Sequence, residues 1–191
     1  SRGLGDVYKR QARKKVYPEW GYIGVSGDLL IGGAGFVSFS DVAPVQSSEY
    51  SIWSDFDHSA SRKLAALNRH TGELIWMIES RHGFVHNGIA IGGGTLYCLD
   101  KMPPGIENRL RRRGVTPEGN ARLAALDLAT GDVKWETETN VFGSFLSYSE
   151  GHDILIQSTR PSRDTAVDEE GKRMIAYRGS SGDVLWDKEV S

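Results

Sequence analysis

The chain has 191 residues, 39% apolar and 25% charged, a composition that supports a sizeable folded core. No stretch is apolar for long enough to read as a membrane-spanning helix, and a formal net charge of −2 argues against a nucleic-acid footprint. A single cysteine, Cys98, excludes an intrachain disulfide and any CxxC metal or redox motif.

Residues 1–11 are read apart from the rest. Asp6-Val-Tyr-Lys-Arg-Gln11 resembles the conceptual translation of a transposon-derived sequencing adaptor, GAT GTG TAT AAG AGA CAG, so this segment is expected to be a scar outside the fold. It holds Arg2, Lys9 and Arg10 against Asp6, and without it the net charge becomes −4. On this reading the native start lies elsewhere, and the lack of a visible signal peptide carries no information.

After a basic lead-in at Ala12–Lys15, Trp20–Val25 reads as a strand, Ser26-Gly27-Asp28 as a turn, and Leu29–Ile31 as a second strand ending in Gly32-Gly33. A polar and aromatic insertion runs from Ala34 to Arg62. Lys63–Asn68 and Glu73–Glu79 then form two strands around His70-Thr71-Gly72. The plan recurs with strands at Phe84–Ile91, Thr95–Asp100, Ala121–Asp127 and Asp132–Thr137, and an insertion at Lys101–Asn120. It recurs again with strands at Phe142–Tyr148, Asp153–Gln157, Arg173–Arg178 and Asp183–Glu189, and an insertion at Ser158–Lys172. Glycine, 23 of 191 residues, exceeds the usual ~7% and fits so many tight turns. Cys98, inside the apolar run Thr95–Leu99, reads as a buried structural thiol.

The repeated unit is compact. Leu64–Trp76 is LAALNRHTGELIW, Leu123–Trp135 is LAALDLATGDVKW, and Met174–Trp186 is MIAYRGSSGDVLW. Tryptophans at 76, 135 and 186 stand 59 and 51 residues apart, a period that marks a repeat architecture. Four short antiparallel strands per repeat predict an all-β fold built as a propeller. A β-helix has a much shorter period, and a sandwich does not repeat its turn chemistry so faithfully. Glycine supplies the positive φ of the hairpin turn, and the preceding Thr or Ser can hydrogen-bond its backbone. The alanines are small enough for a bulky residue to lie against them, and tryptophan supplies that bulk together with an N–H.

The pattern Ala-x-Asp-x-x-Thr-Gly-x-x-x-Trp resembles the tryptophan-docking motif of the quinoprotein-like propeller family, the pyrroloquinoline-quinone (PQQ)-like repeats. Ala125, Asp127, Thr130, Gly131 and Trp135 match it fully. Ala66, Thr71, Gly72 and Trp76 match with Asn68 in place of Asp, and Ala176, Gly182 and Trp186 match with Arg178 for Asp and Ser181 for Thr. The resemblance spans Trp20 to Trp186. It implies a partial β-propeller over residues 12–191, with three four-stranded antiparallel blades at about 17–79, 80–138 and 139–190. Family rings usually close with seven or eight blades, so three form an arc. The flanks of an arc lack neighbouring blades, and the chain alone is expected to aggregate or oligomerise through them.

In a four-stranded meander the loop between strands two and three shares a face with the crossover between blades, and the Thr-Gly turns lie on the other. All three insertions therefore crowd one face, the expected binding face. In the second, Pro103 and Pro104 open a short helix, Ile106 and Leu110 make an apolar pair, and Gly114 ends it. Arg109, Arg111, Arg112 and Arg113 read as a solvated helix face or as a site for a carboxylate or phosphate. Asp164, Asp168, Glu169 and Glu170 read as a solvated loop; their spacing matches no calcium loop. His58, His70, His82, His86 and His152 include no HExxH. His86, beside Val85 in an inner strand, lines the central channel or is a satisfied core histidine. Tyr50, Trp53 and Phe56 anchor a ligand or pin their own loop.

Two functions fit. The first is a non-enzymatic binding or scaffold module of a larger extracytoplasmic protein, similar to the family's outer-membrane-protein assembly lipoproteins and sensor ectodomains. Its partners would be a protein or small molecule and the remaining blades. The second, implied only by the resemblance, is a fragment of a PQQ-dependent dehydrogenase, which would hold PQQ with Ca²⁺. No residue matches that site individually, no Cys-Cys pair is present, and no cofactor is evident in the residues themselves. A periplasmic or otherwise extracytoplasmic location follows from the resemblance alone.

Overall fold

A computed structural model of the chain describes residues 20–39, 56–116, 119–159 and 172–189. The adaptor-like segment 1–11, Tyr50, Trp53, Asp164 and Asp168 lie outside the described residues. The elements run β1 Trp20–Ser26, β2 Leu29–Ser38, β3 Phe56–Asn68, β4 Leu74–Gly92, β5 Thr95–Asp100, α1 Pro104–Arg112, β6 Arg122–Asp127 and β7 Val133–Thr137. They continue with β8 Phe145–Ser149, β9 Ile154–Ser158, β10 Arg173–Arg178 and β11 Val184–Glu189. Each strand pairs antiparallel with the next within β1–β7 and within β8–β11.

These strands form part of a propeller, and its layers follow from side-chain alternation. On β5, Leu96 and Cys98 join Ile31, Leu64, Ala66, Trp76 and Leu126 in one core layer. Tyr97 and Leu99 point the other way, into a second layer with Leu123, Ala125, Leu155, Ile175 and Tyr177. A strand buried on both faces carries a continuous apolar run, and Thr95–Asp100 is buried at every position. Cys98 sits inside this packing, where burial pushes its thiol pKa up to about 12.

Several expected boundaries are corrected. The strands expected at Glu73–Glu79 and Phe84–Ile91 are one continuous strand, β4, the middle strand of the seven-stranded sheet β1–β7, where two separate four-stranded units were expected. The crossover contains no proline and stays extended because Asp100 catches its backbone. Asp100 accepts from the N–H groups of Arg81 (2.8 Å), His82 (2.9 Å) and Gly83 (3.1 Å), and Lys101 N–H donates to Gly83 O at 2.9 Å. The first insertion is also shorter than expected, because Phe36–Ser38 still pair with residues Phe56–Ser61. Conversely, Phe142 precedes β8 rather than opening it, and its ring is buried in the second layer.

Candidate binding face

At one end of the strands stand the ends of β2, β5 and β9, helix α1 and the β4 crossover; the turns at Gly72, Gly131 and Gly182 lie at the other. The β5–β6 connection contains α1, nine residues or about two and a half turns, with Pro103 at its N-cap. Ile106 and Leu110 are buried with Val37, Phe39, Ala60 and Met102, so the helix is seated against the end of β2 and the beginning of β3. The backbone of Gly105 approaches Asp57 so closely that a Cβ there would stand 2.8 Å from Oδ2. Arg109 and Arg113 place their guanidinium groups 4.2 and 4.9 Å from the centre of the Phe39 ring. The expected cluster is therefore divided. Two arginines engage the hairpin, while Arg111 and Arg112 are exposed, with Arg111 Nη2 donating to Asn108 Oδ1 at 3.3 Å.

Beside the helix, β4 presents His86. Its Nε2 lies 2.8 Å from Ser61 Oγ, and its ring centre lies 6.2 Å from that of Phe36. Phe36 meets His58 edge-on at 4.5 Å. Burial lowers the His86 pKa, with Asp57 opposing, so the imidazole is neutral near pH 7. His86 is thus half-buried, with its ring against Gly21 of β1 and Phe36 of β2. Ser61 is fully buried beneath it, and Asp57 accepts from Ser59 N–H at 2.9 Å. The sequence alone singled out His86 but not Ser61, Asp57 or Phe36, since their partners lie on other strands. Ser61 is 25 residues from His86.

A second polar assembly stands at the crossover. The buried Asp100 carboxylate also accepts from Arg122 Nε at 3.1 Å, and Arg122 reaches Glu136 at 2.8 Å. Arg81 bridges Glu136 at 3.2 Å and also pairs with Glu138. Lys101, also buried, extends Nζ to Gly143 O at 3.1 Å, reaching the third blade. These contacts stiffen the end of the blades on which the insertions stand.

At the opposite end the repeated motif has a defined geometry. Trp76 Nε1 donates to Leu128 O at 3.0 Å, and a Cβ on Gly131 would lie 2.9 Å from Trp76 Cδ2. Trp135 Nε1 donates to Gly179 O at 2.7 Å, and a Cβ on Gly182 would lie 2.8 Å from Trp135 Cδ2. Each of these tryptophans lies flat on the next blade's glycine turn. Asp127 Oδ1 accepts from Ala129 N–H (2.9 Å) and Thr130 N–H (3.2 Å), while Thr130 Oγ1 accepts from Asp132 N–H at 3.2 Å. Asn68 Oδ1 does the same for His70 (2.9 Å) and Thr71 (3.2 Å), which explains why Asn serves there. Arg178 offers no acceptor, and Ser180 instead donates to Asp153 Oδ2 at 2.7 Å. Ala66 pairs with Trp76, Ala125 with Trp135 and Ala176 with Trp186 across adjacent strands.

Among the described residues, no three His, Cys, Asp or Glu side chains converge where a metal ion could sit. No helix among them is long and apolar enough to cross a membrane.

Comparison with solved structures places these blades in a wide group of propellers. BamB from Moraxella catarrhalis matches with a TM-score of 0.50 at 14% identity, over 88% of this chain and 36% of that one. The quinohemoprotein alcohol dehydrogenase ADHIIG from Pseudomonas putida HK5 matches with a TM-score of 0.51 at 10% identity, over 88% and 26%. The β-propeller domain of Myceliophteria thermophila Cps50 (Swd1) matches with 0.52 at 10% identity, over 100% and 47%. The chain thus spans about a third of the BamB it matches. At these identities the likeness is one of fold. None of the curated proteins compared with the chain matches it. The family model described as outer membrane protein assembly factor BamB matches residues 38–191, and the chain belongs to that family of PQQ-like propeller repeats.

Proposed function

We propose that this chain is a non-enzymatic binding or scaffold module of a larger extracytoplasmic protein, and that it binds through the face of the strand-two-to-three connections. One observation carries the reading. The β5–β6 connection is an ordered helix whose apolar residues are consumed by the β2–β3 hairpin, which leaves Arg111 and Arg112 exposed on a braced platform. A preorganised polar surface on rigid strands suits protein recognition, because little ordering entropy remains to be lost. The family description, an outer membrane assembly factor, supports a protein partner and a location outside the cytoplasm.

The test is site-specific photocrosslinking in the protein's own host. A photoreactive amino acid replaces Arg111 on the proposed face or Lys134 on the Thr-Gly face. Discrete crosslinked adducts at 111 and none at 134 are expected. Adducts only at 134 would overturn the assignment of the face.

A further inference from the structure

Arg109, Arg111, Arg112 and Arg113 make the last turn of α1 and its C-cap strongly positive, with Glu107 alone against them, in a chain of net charge −2. Arg109 and Arg113 are engaged with Phe39. Arg111 and Arg112 differ: both are exposed, and among the described residues no carboxylate pairs with either. Other arginines are neutralised where they stand. Arg69 pairs with Asp28, Arg81 and Arg122 with Glu136, and Arg173 with Asp187. The helix macrodipole favours cations in this last turn, which accounts for their presence but not for the lack of a carboxylate beside these two.

The pair is also held in place. Asn108 stands three residues before Arg111 and four before Arg112, so the three side chains adjoin, on the side of the helix away from the buried Ile106 and Leu110. Asn108 Oδ1 accepts from Arg111 Nη2 at 3.3 Å, which orients that guanidinium and leaves its remaining donors to meet a ligand. The helix beneath cannot easily shift, because Ile106 and Leu110 are packed with Val37, Phe39, Ala60 and Met102. Planar guanidinium groups take carboxylates through two parallel hydrogen bonds, so two neighbouring arginines fit a short segment carrying two or more acids. An extended polyanion, a bilayer surface or a nucleic acid, would meet the negative net charge of the chain around so small a patch.

We propose that the Asn108–Arg111–Arg112 side of α1 is the docking point for an acidic segment of the partner protein, whose Asp or Glu side chains pair with the two guanidinium groups. This rests on the reading that the face binds a protein, and adds the chemistry of what is bound. Charge at an exposed contact acts mainly on the rate of encounter and the choice of partner, so association should weaken as salt rises.

Photocrosslinking of the full reading-frame product in its own host tests this, with the photoreactive residue in place of Val115. That position is 39% exposed just past the helix, and its replacement leaves both arginines intact. The expected adduct joins a second protein through a peptide, identified by mass spectrometry, that is rich in Asp and Glu. Arg111→Glu/Arg112→Glu should cut the adduct yield about tenfold or more, with circular dichroism of the purified variant confirming folded blades. Lys in place of the acids of the identified peptide should then restore the yield with the charge-reversed protein. The proposal is overturned if the folded Glu variant crosslinks like wild type, if the captured peptide is neutral or basic, if the charge swap restores nothing, or if the adduct is to lipid or to the chain itself. A protein adduct that survives charge reversal removes the acidic partner and leaves the binding-face reading standing. No protein adduct from either position 111 or position 115 removes both.

Discussion

Gly72 and Gly131 make a matched experiment on what holds one blade to the next. Both occupy the same place in the same turn, at φ +75° and +79°, where any Cβ strains the backbone. Gly72→Ala meets open space, so it should cost only the left-handed conformation, about 1–2 kcal/mol. At Gly131 the new methyl stands 2.9 Å from Trp76 Cδ2 and 3.1 Å from Cε3 and Cγ. The added cost of overpacking is about 1–3 kcal/mol. Shifting the indole also weakens its bond to Leu128 O, a loss of about 1 kcal/mol. Gly131→Ala should therefore destabilise more than Gly72→Ala by about 2–4 kcal/mol. Urea unfolding of the dilute chain, followed by tryptophan fluorescence, measures the difference; with slopes of about 1–3 kcal/mol/M the midpoints separate by roughly 1 M. Equal midpoints would refute the claim that the indole, rather than turn strain, makes glycine necessary at 131.

Further outcomes follow from the same contacts. Asp100→Ala strips one carboxylate from three backbone N–H groups and Arg122, and should cost about 3–5 kcal/mol in the same unfolding assay, with Asp100→Asn recovering part. Trp135→Ala should cost about 3–5 kcal/mol, whereas Trp186→Ala, exposed in the single chain, should cost much less when measured at high dilution. Burial depresses the His86 pKa below 6.5, so the unfolded chain binds the proton more readily; stability should be full above that range and fall as pH drops through it. His86→Gln should flatten that limb of a pH–stability curve. Asp127, held low first by Lys134, and Asp187, held low by Arg173, contribute stability present above the ordinary aspartate value of 3.8 and lost as pH falls further.

The repeat was legible because its parts are local. Gly131, Thr130 and Asp127 fall within five residues and determine one turn, closed by local bonds such as Gly131 N–H to Asp127 O and Thr130 N–H to Asp127 Oδ1. Helix α1 was legible for the same reason, with Pro104 at its start, Ile106 and Leu110 on one side, and Gly114 past its end. The β4 crossover was not. Its extension depends on Asp100, 17–19 residues away, and nothing in the run Thr95–Asp100 marks that carboxylate as a clamp. The polar wall around His86 was hidden likewise, since Ser61 and Phe36 reach it only through strand pairing. A histidine on an inner strand was the only local signal.

The most direct test of the central reading, a binding module rather than a quinone enzyme, is a spectral titration with PQQ and Ca²⁺. It should use both this chain and the product of the full reading frame that encodes it. The account predicts no saturable, stoichiometric change in the quinone spectrum. Tight one-to-one uptake, with a calcium-dependent shift, would contradict it.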